Sequence, residues 1–501
     1  MRRLAYSYHR FSERVDRDVN ARVHAVVRTL LARGEPGLLD VIPGYNTLLV
    51  EFDPSRTTPS RLRLRVERLF EEAPGPAVGG REVTVPVVYD GPDLQDVAGR
   101  AGLATEDVVR LHSGAEYHVY AVGFTPGFPF MGDVDPRIRA PRLDEPRRSV
   151  PAGSVGIADG QTGVYPLTSP GGWRLLGRAT ENVYDPQRER PFLLEPGDRV
   201  RFVPTTGATT PAPPEPVGLL PEEPHLPTFL VREPGLLDLV LDEGRFRAGR
   251  FGLARSGPLD AVSAAIANGL AGNPRGAPLL EMSVLGPTLE VLRDVVVAFA
   301  GQGVAPTVNG SPLEPYRSVL VRAGAVLRFP PARAGRTGYL AAAGGFEARR
   351  FLGSASVDAR GLIGRPLRAG DVLGLAAVAS PRPGFAFVPY WPDRSEVVVR
   401  LVPGPQYEPE LFAALTARPL RIEHADRMGV RLSQVDAAGS GIASEGNPLG
   451  AVQLTSDGHP LVLLNDRGTM GGYTKPAVVD ARDLPMLAQA RDGAWLRFVP
   501  A

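Results

Sequence analysis

Not one cysteine occurs in the 501 residues. The chain therefore has no disulfide, thiolate nucleophile or thiolate metal site, and cysteine usage says nothing of redox compartment. Lysine is almost as scarce: of 56 basic residues only Lys475 is a lysine, and arginine supplies the rest. Charge is balanced at a net +1, which gives no sign of a nucleic-acid or acidic-membrane partner. No run approaches the roughly 20 apolar residues of a membrane span. The opening "MRRLAYSYHRFSERVD" lacks the apolar core of a signal peptide, so a cytoplasmic protein is expected. Three signatures are also missing: a G-x-x-x-x-G-K-S/T phosphate loop, H-E-x-x-H, and G-x-S-x-G. Zinc peptidase and serine-hydrolase chemistry are not expected, and any nucleotide must use a nonstandard site.

What is present reads as globular, at 43% hydrophobic and 22% charged residues, in a chain long enough for two to four domains. The class expected is mainly β behind an α/β N-terminal domain. Residues 1–82 predict that small domain, of ferredoxin-like, split βαβ type. Val19, Val23, Val26, Val27, Leu30 and Leu31 line one helical face before Gly34, and a second helix begins at Pro59 and buries Leu62, Val66, Leu69 and Phe70. Two strands flank the Pro43-Gly44 turn, and "REVTVPVVY" supplies another. Residues 83–205 are short strands broken by Gly and Pro, with one short helix in "DLQDVAGRAG", which predicts a closed β-barrel. A proline-crowded stretch at 206–227 reads as a stiff linker. Two β modules are expected beyond it, at 228–398 and 399–501, with one helix in "LDAVSAAIANGLAGNP" capped by Asp260. The form G-x-x-x-R-F-x-P recurs at 197–204, 324–331 and 493–500, as if a turn and closing strand had been duplicated.

Two segments concentrate unusual chemistry. "GFTPGFPFMGDVDP" (123–136) and "VPAGSVGIADGQTGVYPLTSPGGW" (150–173) fix rigid loops whose backbone N–H groups can face an oxyanion, making Pro126, Gly127, Phe128, Gln161, Thr162, Gly163 and Trp173 candidate ligand contacts. The alternative is a set of tight turns under aromatic cover. His112, read as a strand residue, is either an acid or base for this loop or a satisfied core histidine. The lone lysine raises a sharper question. A compact ammonium suits a phosphate, a carboxylate or a developing negative charge where a planar guanidinium does not fit. If Lys475 works in chemistry, Lys475→Arg is expected to keep the fold and lower turnover at least about tenfold.

"VIPGYNTLLVEFDP", "GFTPGFPFMG", "VPAGSVGIADGQTGVYP" and "SPGGWRLLGR" resemble the allophanate hydrolase subunit 1 family, which includes the Kip kinase inhibitor and the B component of 5-oxoprolinase. "LDEGRFRAGRFGLARSGPLDAVSAAIANGLAGNP", "DRMGVRL" and "LLNDRGTMGGYTKPAVV" resemble the subunit 2 family, which includes the Kip antagonist and the C component of 5-oxoprolinase. The resemblance implies a natural fusion of two partners, with cyclophilin-like β-barrels in both halves behind the small α/β domain. Similar paired domains form the carboxyltransferase part of urea carboxylase. No biotin-attachment site is present, and the Ser-Ser-Lys arrangement of the amidase family is absent.

The function implied first is the fused B/C component of ATP-dependent 5-oxoprolinase, acting with a separate A subunit on a small carboxylate or amide substrate, with ATP and Mg²⁺ as expected cofactors. In that reading Lys475 and Arg467 neutralise phosphate or carboxylate charge and Asp466 holds Mg²⁺. Tyr473, Gly471 and Gly472 position the substrate. Asp242 and Arg245, matching the family's D-x-G-R, and Asp426 and Arg427, opening "DRMGVRL", are further ligand-binding candidates, with a buried structural ion pair as the alternative for Asp242 and Arg245. Two other functions are kept: a carboxyltransferase-like module with a biotinylated partner, and a Kip-like regulator of a histidine kinase. Self-association is left open. The chain departs from the family at "GSASVDARG", where Ala355 replaces an arginine, and at Leu241, where glutamine is common.

Overall fold

The computed structural model describes residues 4–73, 80–207, 211–379, 381–388 and 396–501. At the N-terminus, α1 (Arg17–Arg33) starts where the Asp16 carboxylate accepts the N–H groups of Asp18 and Val19, and stops at Gly34, whose φ of 62° is left-handed. α2 (Pro59–Glu72) is capped by Thr58 and buries Leu62, Val66 and Leu69. Both helices cover one face of a three-stranded antiparallel sheet in which Thr47–Phe52 lies between Ala5–Arg10 and Leu38–Pro43. Its other face buries Ile42, Tyr45 and Leu49 with Phe128, Phe130, Trp173 and Met470. Covered on both sides, the strands Leu38–Pro43 and Thr47–Phe52 are buried throughout.

The ferredoxin-like frame differs from expectation in its last strand. Glu82–Val88 leaves the small sheet and opens the first barrel, where Val85 and Val87 face the barrel core and a six-residue parallel ladder joins it to Arg199–Pro204. That barrel closes through seven strands. Two helices rather than one follow its opening strand, α3 (Leu94–Ala101) and α4 (Thr105–Ser113). α4 buries Val108 and His112 four residues apart, too short a stripe to announce a helix. His112 therefore sits in a helical last turn and not in a strand.

The C-terminal module repeats this barrel strand for strand. Glu396–Pro403 pairs in parallel with Trp495–Pro500 and antiparallel with Met470–Val479, closing a ring whose order matches that of the first barrel. The shared octapeptide marks the closing strand in both: Gly197 and Gly493 take φ of 93° and 82°, and Phe202 and Phe498 are buried. At 324–331 the same form serves an ordinary antiparallel strand, Val326–Arg328, so only two of its three instances are equivalent. Two short helices, Pro409–Thr416 and Leu484–Gln489, each with proline in the first turn, interrupt a stretch expected to be strand and turn.

Between the barrels, a six-stranded and a five-stranded sheet share one core around Phe229, Leu280, Val297, Phe299 and Leu340. α5 (Ala261–Leu270), capped by Asp260 through the N–H groups of Val262 and Ser263, packs on the five-stranded sheet. Part of the linker is pinned: Val217 N–H bonds Leu362 O, and Asn182 reaches Ala212 O; residues 208–210 lie outside the described set. Among the described residues no helix is long and apolar enough to cross a membrane.

The N-terminal sheet is bound to the second half by buried polar contacts. Asp40 Oδ2 accepts the Gly249 N–H at 3.1 Å. Burial, with the Glu51 charge beside it, pushes the Asp40 carboxyl up to about 7. A carboxyl raised on folding contributes stability that is full below its unfolded value near 4 and is lost as pH rises through about 7. Wild type is therefore expected to lose on the order of 2–3 kcal/mol more than Asp40→Asn between pH 5 and 8. Urea unfolding of both proteins across that range checks this, and parallel curves would refute it.

Candidate functional site at the junction of the two halves

A cavity of about 260 Å³ opens where three parts of the chain meet. The first barrel contributes Phe124–Pro126 and Leu167–Pro170, the middle module Gly252, Ala254, Asp358 and Arg360, and the last barrel Asp466–Gly468. The approach is close enough to require glycine: a Cβ on Gly252, itself at φ 80°, would stand 2.6 Å from Thr125 O. Phe124 holds a left-handed φ of 67° and is 45% exposed, an uncommon state for an aromatic residue and one that marks functional loops. Its loop is fastened across the junction by the Gly127 N–H on Phe251 O at 2.9 Å.

Unmet hydrogen-bonding capacity converges here. Thr125 Oγ1, Ser169 Oγ and Asp358 Oδ2 are buried and without a partner among the described residues. Asp358 Oδ1 accepts the Gly361 N–H at 3.0 Å, which leaves Oδ2 bare. Burial first, and then the Asp466 charge, push the Asp358 carboxyl up, while Arg245 and Arg360 oppose the shift. Arg360 is exposed, and its side-chain hydrogen bond goes to the Met428 thioether at 2.7 Å. The cavity is thus lined by one arginine fork held, among the described residues, only by a thioether, and by one carboxyl whose Oδ2 is buried without a partner among them.

Asp466, expected to hold Mg²⁺, is committed elsewhere: Arg427 chelates it through Nε at 2.8 Å and Nη2 at 3.0 Å. Arg427 also pairs with Glu281 and bonds Gly257 O. Burial works against the Arg427 charge, but Asp466 and Glu281 outweigh it and hold its pKa above the ordinary value. Arg467 lines the cavity, but its guanidinium is engaged elsewhere, 2.6 Å from Glu51 and bonded to Asn447 O. Among the described residues no three carboxylate or histidine groups converge to hold a metal. Mg²⁺ ordinarily takes only one or two carboxylates together with water and phosphate oxygens, so a magnesium nucleotide would not need a cluster of three.

Asp242 and Arg245 position this site without entering it. Asp242 gathers Ser354 Oγ at 2.5 Å, Ser356 Oγ at 2.9 Å and the Ala355 N–H at 2.8 Å. Arg245, fully buried, donates to Phe351 O and Ser356 O. They are not an ion pair with each other; together they clamp residues 351–356 and so aim Asp358. Ala355 is itself buried, its N–H tied to Asp242.

The remaining candidates are distributed elsewhere. Pro126 lines the cavity. Phe128 and Trp173 meet edge to face in the hydrophobic layer beneath the N-terminal sheet, Gly163 fits under Trp173, and Gln161 bonds Tyr45. His112 is enclosed between Tyr89 OH at 2.7 Å and Thr162 Oγ1 at 2.9 Å, and burial pushes it down to about 3, a neutral core histidine. Lys475 is fully buried on Glu445 at 3.0 Å, with Gly471 and Gly472 on the same strand and Tyr473 half-exposed beside it; none of these four lines the cavity. Asp426 closes a hairpin through the N–H groups of Met428 and Gly429. Asp358 and Arg360 were missed. The sequence drew attention to their segment only through Ala355.

Residues 5–194 match the family described as carboxyltransferase domain, subdomain C and D, and residues 251–500 match carboxyltransferase domain, subdomain A and B. The chain is 43% identical to the 5-oxoprolinase B component of Bacillus subtilis over 208 residues, covering 39% of this chain and 87% of that one. It is 32% identical to the 5-oxoprolinase C component of Escherichia coli over 278 residues, covering 53% and 88%. Urea amidolyase of Lachancea kluyveri is 30% identical over 307 residues, which take in 54% of this chain and only 17% of that protein. The crystal structure of TTHA0988 superposes with a TM-score of 0.95 at 53% identity, covering 99% of this chain and 100% of that one. With C/D subdomains in its first half and A/B subdomains in its second, the chain belongs to the carboxyltransferase-domain family as a fusion of the two types in one polypeptide.

Proposed function

We propose that this chain is the fused B/C component of an ATP-dependent 5-oxoprolinase, activating the lactam for ring opening by a separate A subunit. The observation that carries the reading is that the junction cavity takes walls from both halves, so that its chemistry exists only when a B-like and a C-like unit are joined. Relatives named as the B and C components of that enzyme support it.

An amide oxygen is a weak nucleophile and water a poor reagent against an amide carbonyl; transfer of the ATP γ-phosphoryl group to the lactam oxygen, with ADP leaving, turns that oxygen into a leaving group. The lactam N–H proton must depart as the O-phosphorylated imidate forms. It goes to the bare Oδ2 of Asp358, whose raised pKa makes it a better base than an ordinary carboxylate. Arg360 holds phosphate or substrate carboxylate charge. Mg²⁺ carried on the nucleotide phosphates would offset phosphate charge.

Phosphate release from ATP, measured with the A subunit present, is expected to require 5-oxoproline and to accompany glutamate formation. Asp358→Asn, a neutral isostere of a buried acid, is expected to keep the melting temperature and lower turnover by about 10²-fold. No lactam-dependent release with an active A subunit would overturn the proposal. The urea amidolyase match favours a second reading, a carboxyltransferase-like module, which predicts carboxyl exchange with free biotin and no use of ATP.

A further inference from the structure

A larger cavity, about 440 Å³, backs onto the junction across a wall made by residues 253–258 and 464–467. Neighbours along that wall line opposite cavities: Ala254 and Asp466 line the junction, Arg255 and Asn465 the larger space. The larger space lies between the edge of the N-terminal sheet, α5 and the last barrel, and most of its surface is aliphatic. Small residues on α5, Ala261, Ala264 and Ala265, leave the room that longer side chains would fill.

Its polar groups are satisfied with one exception. Asp242 is paired with Arg350 at 2.9 Å, Glu243 with Arg275 at 2.8 Å, and Asp480 with Arg482 at 2.5 Å. The amides of Asn268 and Asn465 donate to backbone carbonyls. Arg255 alone lies against an aromatic face, its guanidinium carbon 4.5 Å from the centre of the Phe246 ring, and among the described residues no hydrogen bond or ion pair reaches that guanidinium. Burial pushes its pKa down, with Glu51, Glu243 and Asp40 only partly opposing. A cation fixed over an aromatic ring, short of a counterion and carried by a residue that lines an aliphatic cavity, is complementary to a carboxylate on an apolar body.

We propose that this cavity binds an amphipathic monocarboxylate, its carboxylate on Arg255 and its apolar body between α5 and the last barrel. The site is separate from the junction and does not depend on the oxoprolinase reading, and its test reads binding, not turnover.

The full-length protein would be titrated calorimetrically with 4-phenylbutyrate and with 4-phenylbutanol as the neutral match. The carboxylate is expected to bind saturably, one per chain, at least about tenfold more tightly than the alcohol. Arg255→Met keeps an apolar stem over Phe246 and is expected to bring the two affinities together, whereas Arg255→Lys retains the preference. Ala265→Phe, filling the space from the partly exposed face of α5, is expected to abolish binding of both. Equal affinities in wild type, or a carboxylate preference that survives Arg255→Met, would overturn the proposal. So would displacement of phenylbutyrate by 5-oxoproline at comparable concentration, which would make this the lactam site instead.

Discussion

Arg427→Met is expected to lower folding stability by about 3–5 kcal/mol, because it strands two carboxylates in a buried setting. Arg427 is 6% exposed, and its partners Glu281 and Asp466 are 1% and 17% exposed. Glu281 comes from the strand Leu279–Ser283 of the middle module and also accepts from Tyr339 OH at 2.7 Å and the Leu259 N–H at 3.0 Å. Methionine fills much of the volume but supplies none of the charge. Adding Glu281→Gln to Arg427→Met removes one stranded charge, so the second change should cost far less than it does alone, with a coupling above about 1.5 kcal/mol. Urea unfolding of the two single variants and the double variant measures this. Additive losses would show that the three side chains do not act as one network.

Lys475→Met is expected to cost about 3 kcal/mol, and Lys475→Arg about 1–3 kcal/mol through overpacking. The expectation from sequence, that arginine keeps the fold if Lys475 works in chemistry, meets the geometry of an interior anchor. The ammonium is enclosed between Glu445 Oε1 at 3.0 Å and Tyr473 O at 3.1 Å, with no exposed surface. Burial pushes its pKa down and Glu445 opposes this. Glu445 in turn receives Gln406 Nε2 at 2.8 Å and Tyr8 OH at 2.5 Å, with Arg10 at 3.7 Å. Tyr8 and Arg10 belong to the first strand of the chain. One lysine therefore anchors the carboxylate that ties the N-terminal sheet to the last barrel, and a wide planar guanidinium does not fit between those two acceptors. Melting temperatures of both variants check the prediction. If Lys475→Arg melts with wild type while losing turnover, a chemical role is restored.

Local features were legible wherever one short segment carried the physics. Asp260 announced its helix by capping chemistry, Pro59 announced the start of α2, and Gly34 announced a stop. The closing strands were visible in their glycine-to-phenylalanine spacing. The sheet that Glu82–Val88 joins was not legible, because alternation specifies a strand and not its neighbour. The junction was illegible for a related reason: Phe124, Asp358 and Asp466 each lie more than a hundred residues from the next, and no pattern along the chain reports that they meet. Scarcity of lysine did point to a special position, but scarcity does not distinguish an interior anchor from a reacting group.

The parallel pairing that closes each barrel has a mechanical consequence. In both, the first and last strands lie side by side and run the same way, Glu82–Val88 against Arg199–Pro204 and Glu396–Pro403 against Trp495–Pro500. Tension applied at the two ends of a barrel pulls these strands in opposite directions along their length. All the ladder bonds are then loaded together in shear instead of peeling one by one, so each barrel resists extension as a clamp.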